Sequence, residues 1–125
     1  MDFETGSLDK MLAAWNSSDA ATIEQLATDA LEHNVHFADP THNIIGREAF
    51  VAMVHRTHKR VPGAVYSHAS RIDVQNNFCR YHWEIHVENK LLLEGFDVTE
   101  INDAGKVVKV LGFFGKLEKD EDCKA

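Results

Sequence analysis

Apolar residues at helical spacing dominate the start of the chain. They predict a first helix over residues 7–17, whose single apolar stripe consists of Leu8, Met11, Leu12 and Trp15. A polar break follows, and Ser18 or Asp19 can cap a second short helix. The buried face of that second helix is predicted to carry Ile23, Leu26 and Ala27.

The next segment changes to a two-residue repeat. Residues 34–38 alternate between apolar and polar side chains, which predicts a strand that ends at Pro40. Residues 41–45 are expected to form a loop, and Gly46 to open a third helix that runs to about Arg60. The inner face of this third helix is predicted to consist of Phe50, Met53, Val54 and Thr57.

The second half of the chain is predicted to contain strands and turns. Four strands are expected, over residues 64–74, 78–87, 91–101 and 106–115. Helices followed by consecutive strands predict an α+β fold, with three helices packed on an antiparallel sheet. Glycines inside strands are typical of bends, so we expect a strongly curved sheet that forms a cone-like pocket. Residues 1–125 are interpreted as a single domain with a frayed tail over residues 118–125.

Charge and composition narrow the classes of partner. The net charge of −7 argues against nucleic acid and against an anionic membrane surface, which both require clustered positive charge. The sequence shows neither an apolar run of membrane-spanning length nor a basic secretory signal at its start. Cys79 and Cys123 stand in such different contexts that we expect no structural disulfide, and we expect a cytoplasmic location.

Asp39 is a candidate for chemistry because it shares strand parity with two apolar residues, Val35 and Phe37. An aspartate on an inward face loses solvation, which disfavours its charged form and raises its pKa. Such a group can donate a hydrogen bond or act as a general acid or base. The alternative interpretation is a turn residue, since aspartate before Pro40 commonly ends a strand.

Asp97 is the second candidate, by the same argument. It shares parity with apolar residues on the predicted inward face of its strand, whereas Glu94 and Glu100 take the other face. A bulge at Gly95 would instead turn Asp97 to solvent, and the sequence leaves this alternative open. The apolar residues that share its parity are Leu91, Leu93, Thr99 (through its methyl group) and Ile101.

Five spaced motifs carry a family resemblance. They are Trp-Asn at 15–16, Phe-Ala-Asp-Pro at 37–40, Gly-Arg-Glu-Ala-Phe at 46–50, Gly-Phe-Asp-Val at 95–98 and Asp-Ala-Gly-Lys-Val-Val at 103–108. In this order, over about residues 7–116, they resemble the nuclear transport factor 2-like superfamily. Within it, the chain looks most like the polyketide-cyclase (SnoaL-like) and steroid Δ-isomerase branches.

The resemblance to the steroid isomerases implies roles for individual residues. Asp39 falls at the position of the proton-shuttling aspartate. Asp97 falls at the position of a protonated aspartate in the oxyanion hole, a well-known example of an aspartic acid kept neutral by an apolar site. The family's second oxyanion donor is a tyrosine that falls at Met11 here, and methionine cannot donate a hydrogen bond. In the polyketide cyclases, an aspartate at the Asp97 position alone serves as the acid/base.

The pocket wall is predicted from the apolar and aromatic residues of the helices and strands. Alignment with the isomerases adds three residues of the last strand, and Tyr66 or Tyr81 could supply a phenol from the sheet. The predicted wall consists of Met11, Trp15, Phe37, Phe50, Met53, Val54, Tyr66, Trp83, Val110, Gly112 and Phe114.

The eight histidines do not predict a metal site. His55 and His58, and likewise His82 and His86, fall on faces predicted to be solvated. A histidine paired with an aspartate would have to lie inside the fold, and the candidates are His33 and His68. No cofactor is expected, because the sequence has neither a phosphate loop nor a dinucleotide fingerprint.

Two functions are compatible with this reading. The first is a cofactor-independent enzyme that transfers a proton next to the carbonyl of a small apolar molecule, such as a steroid- or polyketide-like compound. Asp39, Asp97 or both would carry the proton in an isomerisation, cyclisation or dehydration. The second is a non-catalytic small-molecule-binding or dimerisation module of the same fold. Phe96 and Val98 predict an apolar outer sheet face, through which a homodimer is expected.

Overall fold

The computed structural model describes residues 5–120, which form three helices and seven strands. The α+β class predicted from the sequence is confirmed. In chain order the elements are α1 (Gly6–Asn16), α2 (Ala20–Ala30), β1 (Leu31–Asp39), β2 (His42–Ile45), α3 (Arg47–Arg60), β3 (Ala64–His68), β4 (Asp73–Gln75), β5 (Phe78–Val87), β6 (Lys90–Ile101) and β7 (Val107–Phe114). Residues 118–120 of the predicted tail lie outside any helix or strand, and the rest of that tail and Cys123 lie outside the described residues.

The helices begin where the sequence indicates. Asp19 caps α2: its Oδ2 accepts hydrogen bonds from the backbone N–H of Thr22 at 3.0 Å and from the Thr22 hydroxyl at 2.6 Å. Gly46 precedes α3 with a φ of 109°, a conformation that favours glycine. None of the helices within residues 5–120 is long and apolar enough to cross a membrane.

The sheet has the strand order β2-β1-β7-β6-β5-β3, and β4 pairs separately with β5. Of the six strand pairings, five are antiparallel and one, that of β1 with β7, is parallel. The expected antiparallel sheet therefore contains one parallel pairing. The chain returns to β1 only after five intervening strands and α3, and such a long connection permits parallel pairing.

Two predicted segments differ in detail from the structure. The loop expected at residues 41–45 contains β2, which pairs with β1 across a tight turn that joins Asp39 to His42. The single strand expected at residues 64–74 is divided into β3 and β4, both paired with β5. At the division, the hydroxyl of Ser70 accepts the backbone N–H of His82 at 2.8 Å. This side-chain bond satisfies a strand donor where the ladder is interrupted.

A bulge in β6 changes the predicted side-chain parity. Leu91 pairs with His86 and Leu93 pairs with Ile85, so Leu92 is the extra residue. The predicted shared face of Leu91 and Asp97 is therefore wrong, and Leu91 is exposed. Because the bulge precedes Leu93, the strand is regular from there through Asp97, and the alternative of a bulge at Gly95 is wrong as well.

α1 is fixed to the edge strand β3 by one side chain. The Oδ1 of Asn16 accepts the backbone N–H of Tyr66 at 2.8 Å, and its Nδ2 donates to the carbonyl of Tyr66 at 2.7 Å. These two bonds satisfy backbone groups that an edge strand would otherwise leave open. Nearby, a ring nitrogen of His58 on α3 lies 2.6 Å from the carbonyl oxygen of Trp15. The helices are therefore held over the sheet, with the core between them.

Candidate active site

A cavity of about 390 Å³ lies between the helices and the sheet, a volume within the range of small-molecule sites. Most of its wall surface is apolar. The polar and charged residues that also line it are Asp39, Thr41, His42, Thr57, Arg60, Ser67, His68, Glu84 and Asp97. Seven of the residues predicted to form the wall line this cavity: Met11, Trp15, Phe37, Tyr66, Trp83, Gly112 and Phe114.

The other four predicted wall residues do not reach the cavity. Phe50, Met53, Val54 and Val110 are completely buried in the core. Phe50 shows the reason: its ring packs edge-on behind the wall, with its centroid 5.7 Å from that of Trp15 and 5.8 Å from that of Phe37. Periodicity identified the inward face correctly, but these residues form a second layer behind the cavity wall.

Asp97 on β6 is held by two donors from the neighbouring strand β5. The indole N–H of Trp83 donates to its Oδ1 at 2.8 Å, and the hydroxyl of Tyr81 donates to its Oδ2 at 3.3 Å. Burial, with a smaller contribution from the charge of Asp39, raises the pKa of Asp97 to about 7, although these two hydrogen bonds oppose the rise. Near neutral pH the Asp97 carboxyl is therefore divided between its protonated and its charged form.

Gly95 makes this arrangement possible. A Cβ atom at position 95 would lie 2.5 Å from Cζ2 of Trp83 and would also meet the carbonyl oxygen of Phe113. Only a residue without a side chain lets the Trp83 ring lie across β6 and reach Asp97. The spacing of glycine and aspartate in the Gly-Phe-Asp-Val motif thus has a physical cause: the glycine admits the indole that the aspartate binds.

Asp39 lies where β1 ends, and its side chain is both part of a turn and part of the cavity wall. Its Oδ1 accepts the backbone N–H of Thr41 at 2.9 Å and lies 3.2 Å from the Thr41 hydroxyl. His42 adds a contact from its Nδ1, 3.0 Å from Oδ1 and 3.3 Å from Oδ2. The turn interpretation and the inward interpretation of Asp39 are therefore both correct.

The two aspartates are separated only by a glycine. Gly112 of β7 pairs with Asp97, and the parallel register of Ala38 with Leu111, continued by one residue, places Asp39 on its other side. A Cβ atom at position 112 would lie 3.0 Å from Oδ1 of Asp97 and 3.3 Å from Cβ of Asp39. The space between the two carboxyl groups is therefore kept free of side chains.

The histidine that contacts Asp39 is His42, which the sequence analysis did not single out. His33 is exposed and does not line the cavity. His68 does, with its ring centroid 4.8 Å from that of Tyr81, and burial lowers its pKa, against an opposing effect of Asp9. His42 is the ring that pairs with an aspartate, and its position three residues after Asp39 across a turn is the signal that could have identified it.

The part of the chain that the structure describes contains no group of three or more histidine, cysteine, aspartate or glutamate side chains placed to hold a metal ion. Met11, where the resemblance to the steroid isomerases implied a tyrosine, lines the cavity. Within residues 5–120, the donors that contact Asp97 come from the sheet instead, from Tyr81 and Trp83.

Many known structures share this architecture. A protein from Agrobacterium tumefaciens, described as a candidate isomerase of the SnoaL-like family, is 26% identical; the match covers 93% of this chain and 100% of that one, with a TM-score of 0.84. An NTF2-like protein of unknown function from Exiguobacterium is 14% identical, with coverages of 89% and 99% and a TM-score of 0.72. A candidate polyketide cyclase from Sinorhizobium meliloti is 10% identical, with coverages of 87% and 94% and a TM-score of 0.69. The last two likenesses show the fold alone.

Sequence comparison identifies the family more directly. No curated protein matches the chain. The sequence model of the SnoaL-like domain family matches residues 8–110, which include both aspartates and most of the cavity wall. The chain therefore belongs to the SnoaL-like family.

Proposed function

We propose that this protein is a cofactor-independent enzyme that transfers a proton next to the carbonyl group of a small apolar molecule. The observation that carries the proposal is the placement of two carboxyl groups on either side of Gly112, in the wall of one apolar cavity. One of them, Asp97, has a pKa of about 7. Two carboxyl groups in different environments can take different parts in one proton transfer.

Asp97 is suited to the acid role. In its protonated form it donates a hydrogen bond to the carbonyl oxygen, which becomes negatively charged when the neighbouring carbon loses its proton. A donor fixed in an apolar site stabilises such a charge more strongly than water does. Trp83 and Tyr81 hold the carboxyl in place, so little reorganisation is required as the charge develops.

The Asp39 side of the cavity is suited to the base role. Asp39 lies across Gly112 from Asp97, and a flat substrate on the glycine would place its carbonyl oxygen and its reacting carbon at opposite ends of the gap. The match to a candidate isomerase over the whole of that protein supports the class of chemistry. Isomerisation, cyclisation and dehydration share this proton-transfer step. A steroid- or polyketide-like substrate agrees with the apolar wall.

The test uses 2-tetralone, a flat bicyclic ketone with acidic protons beside its carbonyl. In D₂O at pH 7, proton NMR follows the loss of these protons, and the wild-type protein should accelerate the exchange. Asp97→Ala should lower the rate by roughly 100-fold, a typical cost of losing an oxyanion donor, because alanine has no side-chain donor. Asp73→Ala is the matched control, because Asp73 is exposed and paired with Arg80 outside the cavity.

The exchange assay also tests the alternative function, a non-catalytic binding module. 2-Naphthol resembles the enol of 2-tetralone, and its fluorescence reports binding. If the wild-type protein binds 2-naphthol in the cavity but does not accelerate exchange, the enzyme proposal is wrong and the binding module replaces it. The size and apolar wall of the cavity suit that function equally well.

A further inference from the structure

We propose that Nε2 of His42 takes and returns the substrate proton, and that Asp39 positions this ring rather than acting as the base itself. The inference rests on the proposed proton-transfer function and assigns its base to a residue outside the five family motifs. Three observations support it: the contacts of Asp39, the orientation in which these contacts hold the His42 ring, and the presence of both side chains in the cavity wall.

The oxygens of Asp39 already have partners. Its Oδ1 faces the backbone N–H and hydroxyl of Thr41 and the Nδ1 of His42, and its Oδ2 faces the same Nδ1. Three of these contacts fall on Oδ1, and Oδ2 has a single, longer one, at 3.3 Å. Oδ2 is therefore the oxygen of Asp39 that competes with His42 for the substrate proton, and the kinetic test below separates the two. The side chains of Asp39 and His42 are only 11% and 17% exposed, so both are largely withdrawn from solvent.

The contact with Asp39 determines which nitrogen of His42 is available. A carboxylate accepts hydrogen bonds and cannot donate them, so the ring nitrogen that faces it, Nδ1, carries the hydrogen. The hydroxyl of Thr41 also lies 3.0 Å from this Nδ1, and a hydroxyl oxygen can accept from it. In the neutral ring, Nε2 then holds the free electron pair. Among residues 5–120, no side chain or backbone group forms a hydrogen bond with this Nε2. The ring lines the cavity, so the basic nitrogen is free for a substrate.

The chemical step balances without an oxidant or a cofactor. The C–H bond next to the carbonyl breaks, its proton forms an N–H bond at Nε2 of His42, and its electron pair forms the C=C bond of an enolate. The enolate oxygen accepts the hydrogen bond of protonated Asp97, and the charge of Asp39 offsets that of the imidazolium. His42 then returns the proton to the same carbon or to a conjugated one. Return to a conjugated carbon completes an isomerisation.

The kinetic test compares three variants in the 2-tetralone exchange assay. His42→Gln should lower the rate by roughly 100-fold or more, the usual contribution of a positioned base. Asp39→Asn should lower it less, because the imidazole remains and only its orientation is lost. His36→Gln is the matched control: His36 belongs to the same pair of strands, bonds to Asn43 at 2.7 Å, and lies outside the cavity wall. Its rate should equal that of the wild-type protein.

The ring nitrogens provide a readout that does not depend on activity. In nitrogen-15 NMR of the neutral ring, His42 should show a protonated Nδ1 and an unprotonated Nε2. Asp39→Asn should remove this preference, and the signals of His36 should not change. The affinity for 2-naphthol should stay within about 3-fold in His42→Gln, because Asp97 retains its role as donor.

The two proposals fail in different ways. If the wild-type protein does not accelerate exchange, the proposed function is wrong, and the base assignment is wrong with it. If the wild-type protein is active, but His42→Gln keeps the rate and Asp39→Asn loses it, only the assignment to His42 is wrong and Asp39 is the base. A protonated Nε2 on neutral His42 in the wild-type protein would also overturn the assignment.

Discussion

Gly112 lies directly opposite Asp97 in the pairing of β7 with β6, and a side chain at position 112 would meet the carboxyl oxygen that Trp83 binds. Gly112 also lies between Asp97 and Asp39, and its lack of a side chain leaves a gap between them. A residue that contributes no side chain thus defines the gap in which a substrate would lie. Its role is to leave space, because nothing else in the register separates the two carboxyl groups.

We expect Gly112→Ala to impair binding. The new methyl group would lie 3.0 Å from Oδ1 of Asp97, so the carboxyl must move, and the methyl group would also occupy the gap. The affinity for 2-naphthol should fall by about 10-fold or more, which corresponds to about 1.4 kcal/mol. Fluorescence titration measures it. Gly6→Ala is the control, since a Cβ atom at position 6 meets nothing within 4 Å; equal affinity in both variants would contradict the role given to Gly112.

The raised pKa of Asp97 predicts how stability depends on pH. The pKa of Asp97 is about 7 in the folded protein and near 4, its ordinary value, in the unfolded chain. Between these two pH values the folded state therefore binds more protons than the unfolded state. The contribution of Asp97 is therefore most favourable below about pH 4 and is lost as the pH rises through 7. Between pH 5 and 8, the free energy of unfolding should fall by roughly 2 to 3 kcal/mol relative to Asp97→Asn.

Urea denaturation of the wild-type protein and of Asp97→Asn at both pH values measures this difference. Comparison with the variant cancels the other titrating groups, which the two proteins share. Asp73→Asn serves as the control, because Asp73 is an exposed residue paired with Arg80. A difference between wild type and Asp97→Asn that does not change with pH would show that the Asp97 carboxyl is already charged at pH 5.

The sequence predicted the elements whose patterns are local. The three helices, β5 and the inward face of Asp97 all follow from periodicity, because each depends on the spacing of apolar residues within one segment. The family resemblance indicated Asp39 and Asp97 as a pair, and the register across Gly112 gives this pairing a physical basis. Strand parity also predicted that Asp39 and Phe37 lie on the cavity wall.

What could not be predicted depends on contacts between segments. β2 has only four residues, too few for its periodicity to predict a strand, and its pairing with β1 brings His42 back to Asp39. Periodicity places Phe50 and Trp15 alike on inward faces, yet only the packing of their rings decides which one lines the cavity. The bulge at Leu92 arises from the pairing with β5 and has no signal within β6 itself.

A homodimer through the outer sheet face remains a prediction. On that face the rings of Phe96 and Phe113 stack with centroids 5.0 Å apart and an angle of 15° between their planes, and Phe113 is 49% exposed. An exposed stack of this kind is typical of an interface. Sedimentation velocity should show a dimer for the wild-type protein and a monomer for Phe113→Glu. Leu117→Glu, at an exposed position beyond the sheet, should remain dimeric; a monomeric wild-type protein would contradict the prediction.

The donors of Asp97 predict the direction in which its pKa changes on mutation. The hydrogen bonds from Trp83 and Tyr81 both lower the pKa of Asp97, so their removal should raise it above about 7. Trp83→Phe should raise it more than Tyr81→Phe, because the Trp83 bond is the shorter, at 2.8 Å against 3.3 Å. Carbon-13 NMR of the Asp97 carboxyl over a pH titration measures each value.

The other tryptophan of the cavity wall provides the matched control for these variants. Trp15→Phe changes the wall by the same substitution, but the contacts of Trp15 are with Phe37, Phe50 and Tyr66 and not with Asp97. The pKa of Asp97 should therefore stay unchanged in Trp15→Phe. If Trp83→Phe lowers the pKa or leaves it where it was, the hydrogen bond to the indole does not stabilise the charged carboxyl, and Asp97 would owe its position to packing alone.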